Sequence, residues 1–338
     1  MSTSLLNHAG PVRWGILAPG AIAHNFAKAV QASDTGNVLA SVGSRDLGRA
    51  REFAASHGIP NAHGSYEALV ADPAVDAVYI ASPHPMHKEH CLLAIAAGKH
   101  VLCEKPFTIN AAEAREVVAA ARAQGVFLME AMWSRFFPLM AALRAEIAAG
   151  TIGELRMVRA DFGFRANYNP ESRLFKPELG GGALLDVGCY TIHFASYFLG
   201  NPVAVASLAT KCGTGVDEQS AFILQYDAGA MAVLSTAVRT NTHYEADLIG
   251  TDGRIRIHAS WYHPVRATIH AVGADPRDIA FDPPSVGFVY QVDEVAACLR
   301  AGKRESDILP LDESIAIMET MDTIRGQWGL TYPGEATA

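Results

Sequence analysis

Apolar residues follow two alternating rhythms over the first 130 positions. Short runs such as "VRWGILA", "VLASVGS", "VDAVYIASP", "HVLCEKP" and "VFLME" are apolar almost throughout, the pattern of a strand covered on both faces. Between them lie "GAIAHNFAKAVQAS", "LGRAREFAASHG", "KEHCLLAIAAG" and "AAEAREVVAAARAQG", whose apolar residues recur at helical spacing. Strands separated by helices of this length predict a doubly wound α/β fold, a parallel Rossmann-type sheet with helices on both faces. Gly58, Gly98 and Gly125 stand just past three of the helices, where a left-handed residue ends them.

Beyond residue 130 the rhythm changes. "ELRMVRADFGFRA", "VAVASLATKC", "QSAFILQYDAGAMAVLSTAVRT", "YEADLIGTDGRIRIHAS" and "RATIHAVG" are longer, strand-like and consecutive. Asp and Gly in "YDAGAM" and "GTDGRI" sit where hairpin turns need them. The pattern predicts an α+β domain with a large, mostly antiparallel sheet and helices near 182–199, 287–302 and 312–327. One face of that sheet is expected to bury on the first domain, while the other can pair two subunits into a homodimer or homotetramer.

Composition narrows the function classes. At 338 residues the chain suits two domains, placed here at 10–130 and 131–338. Net charge is −8 and the basic residues are scattered, which excludes the basic stripe that a nucleic-acid partner requires. "MSTSLLNHAGP" lacks the pattern of an export signal, and the most apolar stretch, "GGALLDVGCYTIHFASYFLG", is broken by Asp186 and His193. No membrane association is expected. Five cysteines without a C-x-x-C pair suit reduced thiols and a cytoplasmic location.

Laid on the dinucleotide fingerprint G-x-G-x-x-G/A, the first strand-to-helix turn reads Ala18-Pro19-Gly20-Ala21-Ile22-Ala23. Gly20 is where a pyrophosphate approaches the backbone, so Ala18, Pro19, Gly20, Ala21 and Ile22 are the first cofactor-binding candidates. A similar bend also occurs in doubly wound proteins that bind no dinucleotide. The second strand ends at Gly43-Ser44-Arg45-Asp46, followed by Arg49. A hydroxyl and guanidinium groups at Ser44, Arg45 and Arg49 suit a ribose 2′-phosphate, favouring NADP over NAD. The alternative leaves both arginines in solvent, with Asp46 on the ribose or capping the helix.

In "VDAVYIASPHPMHKEHCLLAIAAGKHVLCEKPFTINAAEA", "EAMWSRFFP" and "GGGALLDVGCYTIHFA" the sequence resembles the Gfo/Idh/MocA family of nicotinamide-dependent oxidoreductases. The branch that it resembles most contains dimeric dihydrodiol dehydrogenases and NADP-dependent xylose dehydrogenases. Glu104-Lys105-Pro106 is the most diagnostic motif: the resemblance makes Lys105 catalytic, puts Glu104 beside the cofactor and implies a cis bond before Pro106. It also places Asp186 and, at the proton-transfer position, Tyr190 in "DVGCYTIH", where inositol-dehydrogenase relatives have histidine. Four residues apart on a helix, Asp186 and Tyr190 share a face. A lysine charge near the phenol lowers its pKa toward neutrality. A helix cap at Asp186 and a core tyrosine at Tyr190 are the plainer alternatives.

Many relatives read A-T-P-N where this chain has Ala81-Ser82-Pro83-His84, so Ser82, Pro83 and His84 are candidates beside the nicotinamide. His84, His87 and His90 with Cys91 invite a metal reading, but steps of three residues rotate each ring by about 60° around a helix. No metal is expected, and His87 is placed near the cofactor. For the substrate the candidates are Trp133, Arg135 and Phe136, then Arg165, Arg173 and Phe175, with His193 packing or lining the site. Trp133 and Phe136 serve equally as packing between domains.

The implied activity is hydride transfer between the nicotinamide and a carbinol carbon of a sugar or trans-dihydrodiol. Two alternatives stay open: an NAD-dependent glycoside hydrolase of the same family, and a non-catalytic NADP(H)-binding regulator.

Overall fold

The structure is a computed structural model that describes residues 10–283 and 287–335. Two compact units emerge, one of residues 10–133 with 287–315, the other of residues 134–283 with 316–335.

The first unit alternates β1 (Val12–Leu17), α1 (Ala21–Ala32), β2 (Asn37–Gly43), α2 (Leu47–His57), β3 (Asn61–His63), α3 (Tyr66–Ala71), β4 (Ala77–Ile80), α4 (His87–Ala96), β5 (His100–Glu104), α5 (Ala111–Gln124) and β6 (Leu128–Ala131). Among the described residues its sheet has six strands in the order β3-β2-β1-β4-β5-β6, all parallel. That is the doubly wound order, and it reverses between β1 and β4, where such sheets open a ligand crevice beyond the strand ends. Register pairs Leu17 with Ile80 and Ile80 with Cys103. The turns after β1, β4 and β5 therefore leave the sheet along one edge.

Trp14, Ile16, Tyr79 and Leu102 are fully buried, and Phe26 of α1 stacks on Tyr79 with ring centroids 3.8 Å apart. The Asp46, Ser65 and Asn110 side chains cap α2, α3 and α5, and Gly58 and Gly125 end α2 and α5 in the left-handed conformation. β3 and α3 are absent from the sequence prediction. At three and six residues, neither is long enough to show a period.

The second unit opens with α6 (Pro138–Ala148) and β7 (Leu155–Gly163), continues through one π turn, Leu184–Gly188, and α7 (Cys189–Leu199), then turns to strands. These are β8 (Ala204–Lys211), β9 (Asp217–Gln225), β10 (Met231–Ala237), β11 (Ala246–Gly250), β12 (Gly253–Ile257), β13 (Arg266–Ala271) and β14 (Arg277–Ala280). The strand order is β14-β13-β12-β11-β7-β10-β9-β8. Every pairing is antiparallel except β7 with β10. β9–β10 and β11–β12 are the hairpins that the Asp and Gly residues predict. Val158, Ala160, Phe162, Ala232 and Leu234 are buried, while Leu208, Ile223, Met231 and Val233 are exposed on the β8–β10 strip.

Residues 287–315, which a single division at residue 130 gives to the second domain, lie in the first unit. They carry α8 (Val289–Arg300), which packs on α1 and β2. Asp293 fixes it there by accepting hydrogen bonds from the Ser33 and Thr35 hydroxyls at 2.6 and 2.7 Å. The last helix, α9 (Leu311–Gln327), runs in sequence into residues of the second unit.

Candidate active site

In the first unit, β1 delivers the chain to Ala18, whose φ of 65° lies in the left-handed region. Its amide donates to Gly43 O at 3.1 Å, and the Gly20 amide donates back to Ala18 O at 2.8 Å. This is the position where the fingerprint has its first glycine, and the turn demands that conformation whichever residue stands there. Gly20 itself has an ordinary φ of −95°, and a Cβ there would meet nothing within 4 Å. No side chain caps α1, so its first amides are left for an anion. Open backbone at Gly20 and Ala21 above an uncapped helix fits a pyrophosphate, with Pro19 and Ile22 half-buried beside it.

At the end of β2, Ser44 is buried and its hydroxyl accepts from the Asp46 amide at 3.2 Å. Asp46 Oδ1 accepts from the Arg49 amide at 3.0 Å and so caps α2. Of the two roles open to Asp46, the structure shows the cap. Arg45 and Arg49 extend into solvent, free to meet a phosphate.

The β4 and β5 turns are tied together from within. Pro83 is exposed, but Ser82 and His84 are buried, and the Ser82 hydroxyl pairs with His90 Nδ1 at 2.8 Å. His87 is fully buried, with Nε2 2.9 Å from Ser82 O and Nδ1 2.9 Å from Pro106 O. Burial pushes its pKa down. A neutral imidazole has one N–H, so the ring donates to one of these carbonyls and braces the turn before α4 against the Lys105-Pro106 turn. Among the described residues no group of three or more His, Cys, Asp and Glu side chains is placed to hold a metal.

Glu104 ends β5. Its buried carboxyl accepts a hydrogen bond from the Tyr79 hydroxyl at Oε1 and one from the Lys105 amide at Oε2, 3.3 Å away. Burial raises its pKa. The carboxyl supports the sheet end from inside. Lys105 follows, half-exposed, and its bond to Pro106 is cis. Trp133 is buried in the same unit and stacks on Phe288 with ring centroids 4.9 Å apart.

In the second unit, Asp186 lies within the π turn and Tyr190 in the first turn of α7. The π turn widens the helix just where the four-residue spacing assumed regular α geometry, and such turns concentrate at functional sites. Asp186 is buried and pairs with Arg173 at 2.8 Å, whose side chain is 43% exposed. The Tyr190 ring lies 5.2 Å from Phe162 and 6.1 Å from Tyr262, centroid to centroid. Phe162 and Tyr262 stack at 4.2 Å, and Tyr244 stands edge-on to both. Tyr190 thus belongs to an aromatic group drawn from β7, α7 and two loops.

Sequence reasoning missed Phe162, Tyr244 and Tyr262. Phe162 had a signal, since it falls on the buried phase of β7. The two tyrosines sit in loops, where no periodicity points to them.

Arg135 and His193 are hydrogen-bonded to each other. Arg135, only 3% exposed, donates to His193 O at 3.0 Å and lies over the Tyr197 ring at 5.1 Å. His193 is 1% exposed, because α7 is buried along nearly its whole length. Phe136 and Phe175 are buried as well. Arg165 is exposed, bridged to Arg239 at the end of β10.

A doubly wound sheet with an open, uncapped first helix and a lysine at the end of β5 is the arrangement of a nucleotide-binding unit. Residues 12–132 match the family model "Oxidoreductase family, NAD-binding Rossmann fold", and residues 140–256 match the GFO/IDH/MocA C-terminal domain. The chain belongs to the GFO/IDH/MocA oxidoreductase family. It is 41% identical over 335 residues to the trans-1,2-dihydrobenzene-1,2-diol dehydrogenase of Mus musculus, covering 95% of this chain and 98% of the relative. Identity to the Homo sapiens enzyme of that name is 38% over 331 residues, with the same coverage.

Among solved structures, a 3-ketoreductase from Actinomadura kijaniata in complex with NADP and TDP-benzene superposes with a TM-score of 0.84 at 26% identity. That match covers 94% of this chain and 98% of the ketoreductase. An aldose-aldose oxidoreductase from Caulobacter crescentus, complexed with glycerol, gives 0.83 at 25% identity over 95% and 98%.

Proposed function

We propose that this chain is an NADP(H)-dependent dehydrogenase acting on one carbinol carbon of a trans-dihydrodiol or a pyranose. The observation that carries the reading is Tyr190 among Phe162, Tyr244 and Tyr262, with Asp186 earlier on the same helical segment. Flat apolar walls beside a phenol and a carboxylate suit a ring that bears neighbouring hydroxyls. The names of the diol dehydrogenase and sugar oxidoreductase relatives support the same substrate class.

When bound, the nicotinamide supplies the hydride acceptor or donor. Gly20, Ala21 and the first amides of α1 hold the pyrophosphate, while Arg45 and Arg49 hold the ribose 2′-phosphate. Lys105 orients the reacting oxygen and stabilises its negative charge. Tyr190, as the phenolate, takes the hydroxyl proton in oxidation and, as the phenol, gives a proton back in reduction. Asp186, steadied by Arg173, holds a second substrate hydroxyl.

A cytoplasmic location is part of the proposal, supported by five cysteines that are all free thiols. Among the described residues no helix is long and apolar enough to cross a membrane. We assign a homodimer, with a homotetramer as its doubling, on the strength of the exposed apolar strip at Leu208, Ile223, Met231 and Val233.

The test is a spectrophotometric screen of trans-1,2-dihydrobenzene-1,2-diol, pentoses and hexoses with NADP⁺ and NAD⁺ in parallel. Multiple turnovers to reduced cofactor are expected, faster with NADP⁺. A preference for NAD⁺ above about tenfold would overturn the role given to Arg45 and Arg49. Glycoside cleavage without net reduced cofactor would favour the hydrolase, and tight cofactor binding without turnover the regulator.

A further inference from the structure

The start of the Tyr190 helix is held by a residue outside the motif. Asp217 opens β9 and is fully buried. Its Oδ2 accepts from the Leu184 amide at 2.8 Å, two residues before Asp186, and its Oδ1 has no hydrogen-bond partner among the described residues. Gly182, just upstream, has a φ of 117°, and a Cβ there would stand 2.3 Å from Asp217 Oδ1. Any other residue at 182 would drive the carboxyl off Leu184. On the other side, Tyr332 donates to Gly181 O at 2.7 Å. Tyr332 is seated in turn by Glu335, which accepts its amide at 2.7 Å and pairs with Arg325 at 2.5 Å. The segment 181–184 is thus pinned at Gly181 by Tyr332 and at Leu184 by Asp217.

We infer that Asp217, backed by Tyr332, is a positioning residue that fixes where the π turn begins and so where Asp186 and Tyr190 are delivered. This rests on the reading of Tyr190 as the proton-transfer group. An aliphatic residue at 217 would fill the space but leave the Leu184 amide buried without an acceptor. The choice of a carboxyl is costly, since burial pushes its pKa up to about 7. The charged and titratable groups facing it are Lys211 of β8 and Tyr332, with Arg325 and Glu335 behind Tyr332.

Four variants test the inference by kinetics with trans-1,2-dihydrobenzene-1,2-diol, NADPH binding and hydrogen exchange of residues 182–190. Asp217→Ala is expected to lower kcat at least about tenfold, with KM and NADPH affinity little changed, and to speed exchange of that segment about tenfold. Asp217→Asn, which keeps an acceptor, restores both to within about threefold. Tyr332→Phe speeds exchange of the same segment, which keeps the test open if Asp217→Ala does not fold. Unchanged exchange and kcat in Asp217→Ala, or in Tyr332→Phe where the alanine variant is unfolded, would overturn the inference. Tyr190→Phe is the control. Full turnover there would remove the catalytic reading of Tyr190 and leave the exchange result to decide whether Asp217 holds the helix.

Discussion

Ala18 occupies a conformation that glycine adopts without steric cost and an L-residue adopts at about 1 kcal/mol. Ala18→Gly is therefore expected to raise stability by up to about 1 kcal/mol, less the entropy that glycine loses on folding, and thermal melting measures it. A fall in melting temperature would contradict the strain at this turn. Asp217 makes a pH-dependent prediction. Its folded pKa, raised from 3.8 to about 7, means that its contribution to stability is greatest at low pH and is lost as pH rises through 7. Relative to the wild type, Asp217→Asn should gain about 1 kcal/mol between pH 6 and pH 8 in denaturant unfolding. No change in that difference would mean that Asp217 does not titrate there. At this scale the sequence was informative where chemistry is local. The positions of Gly20, Arg45 and Lys105 follow from strand ends, whereas the burial of Arg135 and His193 depends on packing that no local pattern shows.

Strand ends and helix starts place the chemistry. β4 and β5 are joined beneath Lys105 by the hydrogen bond from Tyr79 to Glu104. Tyr79→Phe removes the donor from a buried carboxyl whose pKa burial already raises. The variant should lose about 1–3 kcal/mol. Because loss of the donor raises the folded pKa of Glu104 further, the deficit should grow as pH rises through it, which urea unfolding over a pH series can follow. An equal deficit across the series would show that Tyr79 does not shift the titration of Glu104. The apolar rhythm revealed the long elements and the two hairpins. It missed β3 and α3, which are too short, and α6, whose apolar residues merge with the preceding "EAMWSRFFP" run. It also took the Asp186 segment for regular helix, since a π turn differs only in which amide meets which carbonyl.

The whole molecule joins a doubly wound unit that fits a dinucleotide to a second unit with one apolar sheet strip in the open. Leu208 is 82% exposed, a large value for leucine on a sheet face. Leu208→Asp with Ile223→Asp should convert a dimer to a monomer in sedimentation equilibrium, and an unchanged mass would place any interface elsewhere. The return of residues 287–315 to the first unit was not legible in the sequence, because a helix shows its apolar face but not which sheet receives it. The central claim is that Lys105 and Tyr190 carry the proton and charge chemistry of an NADP(H)-dependent hydride transfer. Steady-state turnover of trans-1,2-dihydrobenzene-1,2-diol with NADP⁺ should fall at least about a hundredfold in both Lys105→Met and Tyr190→Phe, with NADPH affinity kept. Near-normal turnover in both variants would contradict it.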